Sequence, residues 1–189
     1  MDLGRDKTVG KVISRLAAGQ GPVNVEGTWG SFARLLSAHV GRTLGRPILH
    51  ICPHIDDADK AADDLHTFSG QRIDTLPAWE GMEDLADATD EIRAERLRLV
   101  STCVDAGDHR REPPMITASV QALCQPVPAP RAIAEGSLEL AVDADRSLES
   151  LTGWLVDNGF ERVEQIDLPG QFARRGGIID IYAPLMRRW

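Results

Sequence analysis

At 189 residues, with 42% hydrophobic and 26% charged side chains, the chain has material for one full domain and part of another, and its composition is neither that of a disordered chain nor that of a coiled coil. The net charge of -8 opposes an electrostatic grip on nucleic acid by the molecule as a whole, because phosphate binding needs a concentrated cationic surface. No apolar run approaches the ~20 residues of a membrane span. Met1–Gly10 mixes charges of both signs without an apolar core, so no membrane partner is expected and the expected compartment is the cytoplasm.

Val23-Asn24-Val25 alternates as a short strand does, and Gly27 to Ser31 supply a glycine turn whose serine is placed to cap the next helix. Phe32, Leu35, Leu36, Val40 and Leu44 then recur at spacings of three and four, the apolar stripe of an amphipathic helix. After Pro47, the run Ile48–Cys52 has the character of a buried parallel strand. Asp56 or Asp57 is placed to cap a helix carrying Ala58, Ala61, Ala62, Leu65 and Phe68, closed by Ser69-Gly70. Ile73–Leu76 predicts a strand and residues 81–88 an acidic loop. Thr89 or Asp90 starts the longest predicted helix, which ends by Gly107. Ile92, Leu99, Val100 and Cys103 mark its apolar face, and Glu91, Arg93, Glu95, Arg96 and Arg98 are assigned to a solvated one. Met115–Ala118 predicts a further strand and Val120–Gln125 a short helix.

Strands alternating with helices through short connections predict an α/β domain over residues 1–127, with a mostly parallel sheet and helices on both faces. Pro126, Pro128 and Pro130 interrupt regular structure and mark the boundary. From 128 to 189 the pattern changes to a strand at Leu138–Val142, then a helix carrying Leu148, Leu151, Leu155 and Val156 that ends at Gly159. Arg162–Leu168, a Pro169-Gly170 turn and the strand Ile178–Tyr182 follow. That order predicts a small α+β domain with an antiparallel pair around the Pro-Gly turn. Cys52, Cys103 and Cys124 stand far apart without histidines at ligand spacing. They are expected to be small buried hydrophobes; no metal site or cofactor is expected.

A phosphate-binding loop of the Walker type needs close-approach glycines, a lysine for the terminal phosphates and a hydroxyl for magnesium. The turn Gly27-Thr28-Trp29-Gly30-Ser31-Phe32-Ala33-Arg34 keeps the frame of such a loop. Phe32 stands where the third glycine belongs, Ala33 replaces the lysine and Arg34 the hydroxyl residue. Gly27, Gly30, Ser31, Ala33 and Arg34 therefore make a degenerate P-loop, and weak or absent nucleotide binding is expected. No catalytic residue is assigned, since Ile48–Cys52 leads to no carboxylate within two residues. The alternatives are a P-loop-like nucleotide hydrolase with an unusual loop, and a DNA-binding fragment acting through Arg162, Arg174, Arg175, Arg187 and Arg188.

The runs Gly27–Leu36, Leu76-Pro77-Ala78-Trp79-Glu80, Ile92–Leu97 and Ile116–Leu123 resemble, in order, motifs of the transcription-repair coupling factor family, Mfd. The most specific block, Gly159–Val163 followed by Gly170–Tyr182, is similar to that family's G-Y-x-R-V and G-E-F-A-x-R-G-G-I-L-D-I-F and, in outline, to the excision-repair helicase UvrB. The resemblance implies a UvrB-like first domain without a working Walker loop and a second domain that recruits the damage-sensing protein UvrA. It places Arg162 and Arg175, with Arg174 beside them, on the UvrA-facing side; Gly176 and Gly177 are read as backbone requirements of a bend or bulge rather than contacts. It covers only the beginning of the family's length. RNA polymerase and DNA would then be met by domains outside this chain, and the ATP-driven motors are not represented in it. Gln171 and Ala173 depart from the pattern at one contact. The end, Leu185–Trp189, no longer follows the family, so a fragment or a truncated gene is expected.

Overall fold

The computed structural model describes residues 3–79, 90–105, 113–142 and 145–183, and it is an α/β protein with two small sheets. Two compact units are present, one made of Met1–Ala78 with Asp105–Cys124, the other of Trp79–Val104 with Gln125–Trp189. Among the described residues no helix is long and apolar enough to cross a membrane.

In the first unit, helix α1 (Lys7–Ala18) starts where the Asp6 carboxylate accepts hydrogen bonds from the amides of Thr8 and Val9 at 2.8 and 3.0 Å. It ends at Gly19, whose φ of 64° is the left-handed turn that glycine adopts without strain. Helix α2 (Phe32–Leu44) follows the predicted stripe: Leu36 and Val40 are buried with Leu3 and Val9, and Phe32, Leu35 and Leu44 pack against them. Val25 joins the same cluster. This is why Val23–Val25 is not the expected strand: its apolar side chain is used by helices, and Pro22 before it lacks an amide for a ladder.

The sheet of this unit pairs β1 (Ile48–Cys52), β3 (Met115–Ser119) and β2 (Asp74–Leu76) in the order β1-β3-β2, all parallel. Every residue of the central β3 is buried, so that strand is covered on both faces. Met115 packs with Ala38 of α2 and Leu65 of helix α3 (Ile55–Ser69). Ala118, three residues on and so on the other face, packs with Leu76 and with Ala122 of the short helix α5 (Val120–Cys124). Helices therefore lie on both faces, but the second cover does not reach the edge strand: Leu49 and Ile51 of β1 are 52% and 54% exposed. α2 sits close to the sheet at Gly41, where a Cβ would lie 2.7 Å from Ile48 Cγ1. Gly70, at φ 72°, closes α3 as predicted. The N-cap of α3 is His54, not Asp56 or Asp57; the two aspartates fall in its first turn, where carboxylates favour the positive end of the helix.

The second unit contains α4 (Asp90–Asp105), α6 (Pro130–Glu135), α7 (Leu148–Asp157) and the sheet β4 (Glu161–Arg162), β5 (Gln171–Arg175), β6 (Ile178–Tyr182), in the order β4-β5-β6. Phe172, Ala173 and Leu155 are buried, and the Trp154 and Phe160 rings meet at 6.3 Å between centroids. Four expectations are corrected here. Pro130 does not interrupt structure but opens α6 at a first-turn position, where its missing amide costs nothing. Leu138–Val142 forms no strand; Val142 is 92% exposed, and no described strand runs beside it. The antiparallel hairpin β5–β6 turns at Gly176-Gly177, and Pro169-Gly170 instead joins β4 to a parallel β5. Gly176, at φ 61°, sits at the first position of that two-residue loop, which is why glycine is required there. Cys103 and Cys124 are exposed, and only Cys52 is buried. The predicted acidic loop at 81–88 and the stop at Gly107 lie outside the described residues, as do Arg187, Arg188 and Trp189.

Candidate functional site

The glycine turn keeps its left-handed backbone, with Gly27 at φ 75° and Gly30 at φ 54°. Its chemistry is turned inward. Ser31 holds the N-cap position of α2 but has helical dihedrals and makes no capping bond with its side chain, contrary to its predicted role. Phe32 packs into the α1–α2 cluster, and Ala33 offers no cation. Arg34 donates from Nη1 to the Gly30 carbonyl at 3.2 Å, and the same nitrogen lies 3.7 Å from the Asp64 carboxylate of α3. The one guanidinium at the turn is thus held through Nη1 by the turn and by α3, while its buried Nε makes no hydrogen bond. Nearby, burial first and the Arg34 charge second hold the His50 imidazole below its ordinary range. Burial pushes the Cys52 thiol up, so it is a packed side chain rather than a ready nucleophile. Among the described residues no group of three His, Cys, Asp or Glu is arranged to hold a metal.

A second guanidinium was missed in the sequence. Arg96, assigned to the solvated face of α4, is 2% exposed. Its guanidinium carbon lies 4.8 Å from the centre of the Trp79 ring, and Nη2 donates to the carbonyls of Gln125 and Pro126 at 3.1 and 3.3 Å. The Gln125 side chain brackets the Trp79 backbone, accepting from its amide at 3.2 Å and donating to its carbonyl at 2.8 Å. Three stretches remote in sequence are tied by one cation, one indole and one amide. Two of them, Leu76–Glu80 and Ile92–Leu97, are blocks on which the family resemblance rests, and the signal available was their joint presence rather than any helical periodicity.

The predicted arginines of the C-terminal region come together. Arg162, Val163, Glu164, Arg174 and Arg175 line one surface depression. Their states differ. Arg174 donates to Glu149 of α7 at 3.0 Å and to the Gly176 carbonyl at 3.4 Å. Arg175 donates to the Glu164 carbonyl at 3.1 Å. Arg162 is exposed, and among the described residues no hydrogen bond or ion pair holds its side chain. The Glu149 carboxyl is held below the usual carboxylate range, first by its own backbone amide and then by Arg174. Gln171, where the family pattern has an acid, accepts from the amides of Asp167 and Leu168 at 3.0 Å each, closing the loop that carries Pro169-Gly170. The depression therefore presents guanidinium donors over a short, braced sheet, a surface suited to carboxylates.

Residues 138–188 match the family model of the UvrB interaction domain. The chain is 29% identical over 173 residues to the transcription-repair-coupling factor of Bacillus subtilis (strain 168), an alignment covering 90% of this chain and 14% of the relative. To that of Mycobacterium bovis it is 31% identical over 156 residues, 80% of this chain and 12% of the relative. To that of Myxococcus xanthus it is 28% identical over 185 residues, 93% and 15%. The chain thus spans 12–15% of the length of the curated relatives it matches. Over most of its length this chain is homologous to transcription-repair-coupling factors, and its C-terminal quarter to the UvrB interaction domain.

Proposed function

We propose that this chain is a non-catalytic docking module of transcription-coupled nucleotide-excision repair, corresponding to the N-terminal part of a transcription-repair-coupling factor. Residues 128–189 bind UvrA, and residues 1–127 are a scaffold on a dismantled nucleotide-binding frame. RNA polymerase, and DNA as the track of the motors, are engaged by the remainder of a longer protein. The observation that carries this reading is the gathering of Arg162, Arg174 and Arg175 around one depression within the match to the UvrB interaction domain. The absence of a lysine at Ala33, with Arg34 Nη1 turned onto Gly30 and Asp64, supports the non-enzymatic part.

Calorimetry with purified UvrA tests the docking. The double variant Arg162→Ala/Arg175→Ala is expected to lose about 2–5 kcal/mol of binding free energy if both guanidinium groups are desolvated, and under about 1 kcal/mol if they stay on the rim. Equal affinity of wild type and variant would remove these residues from the contact. ATP hydrolysis by the purified chain would remove the non-enzymatic reading.

A further inference from the structure

We infer that the outward face of α1 is a contact for the phosphate backbone of duplex DNA. Residues 7–46 hold six cations, Lys7, Lys11, Arg15, Arg34, Arg42 and Arg46, against the single carboxylate Glu26, a net charge of +5. With the whole chain at -8, the remainder carries -13. The charge that composition hides is therefore segregated, and the α1–α2 pair is a cationic stretch of an acidic protein, separate in sequence from the C-terminal arginines.

Within that stretch the geometry selects α1. Val9, Ile13 and Leu16 turn inward to the cluster shared with α2. Lys7, Lys11 and Arg15, each four residues apart, stand on the opposite side and are exposed. Their spacing along the axis is about 6 Å per step, with each step turning about 40° around the helix, an inclined ridge of charges. Among the described residues no carboxylate pairs with any of the three; Asp6, the residue just before the helix, is turned onto the amides of Thr8 and Val9. Arg46 reaches across to the Leu16 carbonyl at 3.1 Å, which brings a further cation to the C-terminal end of the row.

Helix stability does not account for the row. Lys7 occupies the first turn, where the helix dipole disfavours a cation, and like charges four residues apart repel. A protein partner is not its best match either, since protein interfaces centre on buried aromatic or aliphatic anchors, and no exposed large hydrophobic residue lies on α1. A line of fully solvated cations with no apolar centre is the chemistry of counterion release from a polyphosphate backbone.

The test uses the full 189-residue chain and a fluorescent DNA duplex, with binding read by anisotropy across a salt series. The wild type is expected to bind at about 50 mM salt with a linear fall of log affinity against log salt. The variant Lys7→Gln/Lys11→Gln/Arg15→Gln, whose side chains leave the core untouched, is expected to show a slope shallower by about 2.7 and affinity on the order of tenfold or more weaker. Arg162→Ala/Arg175→Ala is expected to bind DNA as the wild type does, which separates this result from that of the UvrA titration. An unchanged slope in the triple variant, or no wild-type binding at low salt, overturns the inference. So does displacement of the duplex by polyglutamate of equal charge, which would assign the face to an acidic protein.

Discussion

Arginines in two regions meet different fates. Arg34 and Arg96 are drawn into the fold, the first onto a turn carbonyl and an aspartate, the second under an indole with two carbonyl acceptors. Arg162 and Arg175 stand at the surface of the small sheet, one without a side-chain partner among the described residues and the other resting on a single carbonyl. A guanidinium already engaged inside the molecule has less to offer a ligand, because a new contact through the same nitrogen must first break an old one. One held loosely over a braced sheet has its donors available at small cost in conformational freedom.

The largest effect expected from this contrast is on stability. Arg96→Met keeps most of the side chain's stem but leaves the Gln125 and Pro126 carbonyls without their donor, and unfolding free energy is expected to fall by about 2–4 kcal/mol. Urea denaturation measures it, with the Arg162→Ala/Arg175→Ala protein as the control that should unfold at the wild-type midpoint. A midpoint unchanged by Arg96→Met would mean that the buried cation is not a structural tie.

A smaller effect is expected at the turn. Arg34→Ala removes one partly exposed ion pair and one bond to Gly30, a loss of about 1 kcal/mol or less. Nucleotide affinity should not change, since the residue does not face outward for a ligand; a titration with ATP and magnesium that gave binding in the wild type and none in the variant would reverse the contrast drawn above.

The smallest effect sharpens the division within the C-terminal trio. Glu149→Gln should release Arg174 and change affinity for UvrA by no more than about fivefold, upward. Acidification does the same to the wild type. Because Glu149 is held below the usual carboxylate range, its pairing with Arg174 is complete above that range and is lost as the pH falls through the lowered value. The Arg174 guanidinium N–H resonances, followed through an acid titration, report it; resonances that do not move would show that the pair contributes nothing.

What could be read from residues alone was whatever depended on a local period or a local stop. The stripe from Phe32 to Leu44, the apolar run Ile48–Cys52 and the closing glycine at position 70 all appear where expected. Features decided by pairing between distant segments were not legible. Val23–Val25 and Leu138–Val142 alternate as strands do, yet neither has a described neighbour to bond to. Both Pro169-Gly170 and Gly176-Gly177 carry turn chemistry, and only the register of β5 against its two neighbours decides which one closes the hairpin. The burial of Arg96 was hidden for a related reason: on a helix of alternating charge every arginine has the pattern of a solvated one, and Trp79 and Gln125 come from other parts of the chain. At the arginine depression the residue types were legible, but the bond from Arg174 to Glu149 was not, since the two are separated by 25 positions.

The tight seat of Gly41 against Ile48 reaches back to the start of its helix. With no clearance for a methyl group, α2 sits close on the strand, and what is attached to its first turn inherits that placement. Putting a lysine at position 33 would therefore supply an ammonium but not a cradle: the backbone ahead of it is positioned by a contact two helical turns away. A phosphate site needs the placement of its backbone as well as the right side chain, and one substitution supplies only the second.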